Sequence, residues 1–223
     1  MARDNHLPRH GRVVVLGLGR FGTSLAMELV RRGTEVLAID SDDRLVQRQF
    51  DEITHSAVAD TTDPEALRQL GVADYERAVV GIGDLEASIL TTAVLVDLAI
   101  PHIWAKANSR QHGQILERVG AHHVVLPEHD MGERVAHLVT GRMMDYIAFE
   151  HDFAMVKTTA PQDILNKPLA RSAVRSRHGI TVVGVKKKGE KFTYATPETV
   201  PEAGDLLIVS GPVDDVEAFA ERA

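Results

Sequence analysis

Short apolar runs alternate with stretches whose apolar residues recur every three or four positions, as strands buried on both faces and helices with one inward face would require. Arg12-Val13-Val14-Val15-Leu16 predicts a first strand. Leu25, Ala26, Leu29 and Val30 then lie at helix spacing, and Gly33 ends that helix. Glu35-Val36-Leu37-Ala38-Ile39 predicts a second strand ending in Asp40, and Leu45, Val46 and Phe50 mark a second helix. His55-Ser56-Ala57-Val58-Ala59 reads as a third strand, finishing at Asp60. Thr62 or Asp63 stands where a helix cap is needed, with Pro64 in the first turn and Leu67 and Leu70 facing inward. Ala78-Val79-Val80-Gly81-Ile82 is a fourth strand, followed by a helix through Ala87 to Leu98 that Pro101 breaks. His102-Ile103-Trp104-Ala105-Lys106 begins the fifth strand, and Leu116 and Val119 point inward from the next helix. After Gly120 comes His122-His123-Val124-Val125-Leu126, the sixth.

This alternation predicts an α/β fold, a Rossmann-like doubly wound parallel sheet with helices on both faces. Met131 to Met144 reads as a helix with Val135, Leu138, Val139 and Met143 on one side, and Tyr146-Ile147-Ala148-Phe149 as a short strand or linker. Beyond it the pattern changes. Ala154 to Lys157, Thr181 to Val185 and Asp205 to Val209 predict strands, and Leu169 to Arg177 and Val213 to Ala220 predict helices. Turns are expected at Lys187-Lys188-Gly189-Glu190 and around Val200 to Asp205. The chain thus divides into a domain over 1–145 and a second, smaller α+β domain over 146–223, with no repeat of the first.

Chemistry concentrates where the predicted strands end. Gly17-Leu18-Gly19-Arg20-Phe21-Gly22 joins the first strand to the first helix, and Asp40 ends the next strand. Gly17 permits the tight turn, Gly19 lets backbone approach a phosphate, and Gly22 lets the helix pack on the strand; phosphate oxygens then meet N–H groups at a helix start. Asp40 is suited to accept hydrogen bonds from ribose hydroxyls and to repel a 2′-phosphate. Asp60 and Gly83 also fall just past strand ends, so four separate elements converge on one crevice. Arg20, inside the turn, offers a guanidinium to a further phosphate, which favours ATP or ADP while also suiting the pyrophosphate of NAD.

Composition narrows the classes. The 223 residues carry a net charge of -7, with 44% hydrophobic, 4% aromatic and 26% charged residues. Such a balance gives no support to nucleic acid or anionic lipid as partner. The absence of cysteine removes disulfides, thiol catalysis and thiolate metal sites. No apolar stretch has the length of a membrane span, and Met1 to Arg12 is polar without a signal-peptide core, so a cytoplasmic location is expected. Met1 to Gly11 is too short for a DNA-reading module. No catalytic set stands out: the turn lacks a P-loop lysine, no glycine-flanked serine suggests a nucleophile, and the eleven histidines are scattered. A non-enzymatic sensor is therefore expected; an NAD-dependent oxidoreductase or NAD(H)-responsive redox sensor is the alternative.

The chain resembles the cytosolic regulatory subunits of bacterial Ktr/Trk potassium-uptake systems, members of the RCK family (regulators of potassium conductance). The resemblance is carried by Val15 to Gly22, Val36 to Asp40, Val80 to Gly83, Ile103 to Ala107, and Pro127-Glu128-His129-Asp130-Met131-Gly132, in that order. It implies an octameric ring on the cytosolic face of a membrane potassium channel or transporter subunit, with ATP favouring the conducting arrangement and ADP the inactive one. It also implies that Asp40 binds ribose, Asp60 lies by adenine, and Arg20 reaches the terminal phosphates. The expected nucleotide site then comprises Gly17, Gly19, Arg20, Phe21, Gly22, Asp40, Asp60, Gly83, Lys106 and Glu128. Glu128 would join Mg2+ or Ca2+ to the ATP phosphates, since a carboxylate beside polyphosphate needs a cation between them. In some relatives the second domain binds cyclic di-AMP, and Ile164, Asn166, Arg175 and His178 occupy the corresponding region here.

Overall fold

A computed structural model describes residues 11–49, 52–140, 143–149 and 152–223. Phe50 and positions 141–142 of the expected helix to Met144 lie outside the described residues. The chain divides into two compact units, the first ending at His129 and the second running from Asp130 to Ala223. The expected boundary between 145 and 146 lies further along.

In the first unit six parallel strands stand in the order β3-β2-β1-β4-β5-β6. These are β1 (Val13–Leu16), β2 (Val36–Asp40), β3 (His55–Val58), β4 (Arg77–Val80), β5 (His102–Lys106) and β6 (His123–Val125). Between them run α1 (Arg20–Arg31), α2 (Asp43–Gln49), α3 (Pro64–Gln69), α4 (Leu85–Asp97) and α5 (Arg110–Val119). Why the central strands β1 and β2 are apolar almost throughout follows from the two cores. Val14, Leu16, Ile39, Ala78, Val80 and Ile103 face Leu67 of α3, Leu95 of α4 and Leu116 of α5. Val13, Val15, Val36 and Ala38 face the opposite way, onto Ala26 of α1 and Val46 of α2. The period of two along a strand sends alternate residues into different cores, and both are buried. Asp63 rather than Thr62 caps α3, its Oδ1 accepting from Glu65 N at 2.9 Å ahead of Pro64. The order reverses direction between β1 and β4, and the crevice opens beyond the carboxyl ends at that point.

The helix α6 (Pro127–Thr140) follows β6. It stops short of the predicted Met144, whose backbone N–H instead donates to Lys157 O at 2.7 Å. The second unit is built on an antiparallel sheet ordered β10-β9-β11-β8-β7. Its strands are β7 (Asp145–Phe149), β8 (Phe153–Thr159), β9 (Thr181–Lys186), β10 (Thr193–Tyr194) and β11 (Leu206–Pro212). One face carries Ala154, Val156, Leu207 and Val209 against Ile164, Val174, and Val216 and Phe219 of α9 (Val213–Ala220). The helix expected over Leu169 to Arg177 is broken into α7 (Leu169–Ser172) and α8 (Val174–His178). Ala173 between them has φ +50, the left-handed region where a Cβ is crowded. Ala173→Gly is expected to stabilise the protein by about 1 kcal/mol in urea unfolding, the strain removed exceeding the backbone entropy added.

Among the described residues no helix is long and apolar enough to cross a membrane.

Candidate functional site at the strand ends

The crevice is shaped first by glycine. Gly17 N–H donates to Ile39 O at 2.8 Å and Gly81 N–H to Leu16 O at 2.7 Å, tying together the ends of β2, β1 and β4. Gly17 sits at φ +95, and a Cβ there would lie within about 3.0 Å of Ile82 and Gly81. A Cβ on Gly22 would fall 1.8 Å from Gly17 O, so α1 approaches the turn more closely than any side chain allows. Gly19 and Gly83 differ: nothing lies within 4 Å of a Cβ built on either. Two glycines serve the close contact of backbone with backbone; the other two leave surface open toward a ligand. No side chain caps the start of α1 and its first turn holds no acid, so its leading N–H groups and the positive end of its dipole remain available to an anion.

A cavity of about 300 Å3 lies against this turn, and Gly17, Gly19, Asp40, Asp60 and Gly83 all line it. The Asp40 carboxylate is already fixed: Oδ2 accepts from Leu18 N at 2.5 Å and Oδ1 from Asp42 N at 2.8 Å. It thereby clasps the tip of β2 to the glycine turn, and its remaining lone pairs can serve a hydroxyl. Asp60 Oδ1 accepts from Thr62 N at 2.9 Å and Thr62 Oγ1 at 2.7 Å, and these bonds hold its carboxyl below the usual carboxylate range.

Arg20, Phe21, Gly22, Lys106 and Glu128 do not line the cavity. Charge gathers beside it nonetheless. Lys106 Nζ, on a mostly buried side chain, donates to Glu128 Oε1 at 2.6 Å. That bond is the main reason the Glu128 carboxyl titrates below its ordinary value, with the charges of Lys106 and Arg20 adding to it. A lysine–glutamate pair near an arginine leaves one net positive charge for phosphates. Among the described residues no group of three or more His, Asp or Glu side chains is placed to hold a metal ion by itself. A cation at Glu128 would need oxygens from the ligand.

Three residues of this region were not singled out from the sequence. Asn108 Nδ2 donates to Gly83 O at 2.6 Å, and behind it His112 and Ser88, both fully buried, share a hydrogen bond of 2.9 Å. The one available sign was Ser109, three residues before His112 and suited to cap α5, as it does through His112 N at 3.1 Å.

In the second unit the expected cyclic di-AMP residues part company. Arg175 lines a cavity of about 510 Å3 with Ile180, Thr181 and Ala195. Ile164 is fully buried in the core. Asn166, at φ +56, donates its N–H to Pro201 O at 2.8 Å. His178 Nε2 is 3.1 Å from Asp163 Oδ2, its ring edge-on to Phe219.

A Rossmann-like parallel sheet with a glycine turn and a terminal acid, followed by a small antiparallel α+β unit, defines a two-domain architecture. The TrkA-N domain model matches residues 13–127 and the TrkA-C domain model residues 153–223, and the chain belongs to this TrkA-N/TrkA-C family. It is 34% identical over 210 residues to the Ktr system potassium uptake protein C of Bacillus subtilis (strain 168), covering 93% of this chain and 95% of that protein. It is also 34% identical over 202 residues to the Ktr system potassium uptake protein A of Vibrio alginolyticus, covering 90% and 92%. Among solved structures, the GsuK RCK domain superposes with a TM-score of 0.68 at 19% identity, covering 100% of this chain and 49% of that one, about half its length. The TrkA-N domain of the inner membrane protein ybaL from Escherichia coli gives 0.52 at 16%, covering 60% and 99%. Both likenesses concern the fold.

Proposed function

We propose that the protein is a cytoplasmic regulatory subunit that senses ATP and ADP and thereby gates a membrane potassium channel or transporter, without catalysing a reaction. One observation carries the reading: an uncapped helix start, two open glycines and two fixed carboxylates share a single cavity, with Arg20 and the Lys106–Glu128 pair beside it. Its relatives are potassium uptake proteins of Ktr systems, along nearly their whole length. In this reading Asp40 takes the ribose, Asp60 lies by the adenine, and Arg20 serves the terminal phosphate. Lys106 pairs with Glu128, and Glu128 is the side chain that would hold Mg2+ or Ca2+ beside the phosphates of ATP, the cation supplying the positive charge that a carboxylate next to polyphosphate needs. Losing a phosphate and its cation changes contacts at one end of the ligand, and only such a difference can shift a conformational equilibrium. Subunits assembled as an octameric ring would pass that shift to the membrane partner. Cyclic di-AMP is proposed as a second ligand, resting on Arg175 and its cavity in the second unit.

The adenosine half of NAD would also suit Asp40, and an NAD(H)-responsive sensor is the competing reading. Arg20 and the Lys106–Glu128 pair favour a ligand ending in free phosphates. Calorimetric titration with ATP, ADP and NADH, alongside native mass spectrometry, separates the two. Arg20→Ala is expected to weaken ATP about tenfold and ADP by less than about threefold, the worth of one charge-assisted hydrogen bond. Preference for NADH over both adenine nucleotides would overturn the proposal.

A further inference from the structure

Thr61 lines the cavity, and a set of buried polar groups occurs around it and along α4. Thr61 and Thr91 hydroxyls meet at 2.8 Å, Thr92 Oγ1 donates to Ser88 O at 2.8 Å, and His112, 1% exposed, completes the set against Ser88. The hydrogen bonds fix the imidazole's tautomer. Asn108 N–H donates to His112 Nδ1 at 3.2 Å, so Nδ1 carries no proton and Nε2 does. Nε2–H then donates to Ser88 Oγ at 2.9 Å, whose hydroxyl donates onward to Leu85 O at 3.0 Å. Every group in the chain has one consistent role.

Leu85 and Ser88 belong to the start of α4, whereas Asn108 belongs to the β5–α5 loop. The same Asn108 reaches across through Nδ2 to Gly83 O, at 2.6 Å, on the wall of the cavity. His112 therefore ties the β5–α5 loop to the start of α4 from behind, while Asn108 joins that loop to Gly83 in front. We propose that His112 is a positioning residue of the nucleotide site: its neutral, Nε2-protonated ring locks the β5–α5 loop to the start of α4, and so holds Asn108 where it fixes the wall that Gly83 presents to the ligand. The inference rests on reading this cavity as a nucleotide site.

Protonation breaks the arrangement in a defined way. An imidazolium has no lone pair at Nδ1, so it would turn an N–H toward the Asn108 N–H and release the loop. Charged groups occur on each packed element: Asp84 and Glu86 at the start of α4, Arg110 and Glu117 on α5, Lys106 at the end of β5. Asp84 is engaged as the cap of α4 and Lys106 with Glu128. Burial is what lowers the basicity of His112, so the folded protein keeps it neutral below the ordinary imidazole range. The lock is complete near neutral pH and is lost as pH falls through that depressed value.

The test compares ATP and ADP dissociation constants of the full chain for the native protein, His112→Gln and His112→Leu, from pH 7.5 down to the lowest pH at which thermal unfolding, recorded in parallel, shows each still folded. Glutamine can accept from Asn108 N–H and donate to Ser88 Oγ but cannot ionise; leucine does neither. Native affinity is expected to fall steeply at acid pH. His112→Gln should remain within about threefold of native at neutral pH and show only the shallow dependence that comes from the phosphates themselves. His112→Leu should lose about tenfold at every pH, because both hydrogen bonds of the ring are gone and Asn108 N–H is left without its acceptor. Superimposable pH profiles for native protein and His112→Gln would overturn the proposal while leaving the nucleotide site standing. Failure of the native protein to bind either nucleotide would overturn both.

Discussion

Gly22→Ala is expected to cost the first unit about 3 kcal/mol of stability, at the upper end of what overpacking usually costs. The added Cβ would fall 1.8 Å from Gly17 O and 3.0 Å from Gly17 C, so the clash is with backbone and no rotamer relieves it. Gly17 cannot retreat. Its N–H is bonded to Ile39 O at 2.8 Å, and its own Cα already faces Ile82 and Gly81 within about 3.0 Å of where a Cβ would be. Relief must come from lifting the start of α1 off β1, which removes the helix N–H groups from the cavity as well. Gly19→Ala is the informative partner. Gly19 has φ -64, which any residue adopts, and open space where its Cβ would go. Its stability should stay within about 0.5 kcal/mol of native, while ATP affinity falls at least tenfold because the methyl occupies the place of a phosphate. Urea unfolding and ligand titration on both variants check the pair. Equal destabilisation by the two substitutions would remove the distinction between packing glycine and ligand-facing glycine.

The first sheet could be read from the sequence because parallel strands buried on both faces leave uninterrupted apolar runs, and the polar residue closing each run marks its carboxyl end. Asp40, Asp60 and Gly83 each fall just past a predicted strand's last residue, where ligands of such sheets bind, and all three line one cavity. What escaped was anything decided by tertiary packing. Nothing at Ala173 signals a break, since no glycine or proline stands there, yet it lies at φ +50 between buried Ser172 and Val174. Lys106 and Glu128 are separated by a whole helix and strand, and only the parallel register of β5 and β6 brings their side chains together. His112 was one histidine among eleven, with nothing local to distinguish a buried neutral ring from a solvated one. The second unit was harder for a further reason. Its strands are buried on one face, so a run such as Asp145–Phe149 mixes buried Tyr146 with half-exposed Ile147 and Phe149 and resembles a linker as much as a strand.

Asp40 was assigned to the ribose from its position, yet its carboxylate also bonds Leu18 N and Asp42 N, so a simple deletion mixes two effects. Asp40→Ala leaves both N–H groups without their acceptor, and Leu18 is 1% exposed, where water cannot easily replace the lost bond. A stability loss of about 2 kcal/mol is expected from that alone, and a nucleotide affinity loss would follow whether or not the carboxylate touches a ligand. The ligand can be altered instead. Native protein is expected to bind 2′-deoxyATP about tenfold more weakly than ATP, the value of one hydroxyl donating to a carboxylate, whereas Asp40→Ala should bind the two alike. The difference of differences isolates the contact, because the structural damage is common to both ligands. A 2′-phosphate should report the opposite sign: repelled by the native carboxylate, an adenosine nucleotide carrying one ought to gain on its unmodified counterpart in Asp40→Ala. If native protein fails to distinguish ATP from its 2′-deoxy form, Asp40 is a clasp for the glycine turn and the ribose lies elsewhere.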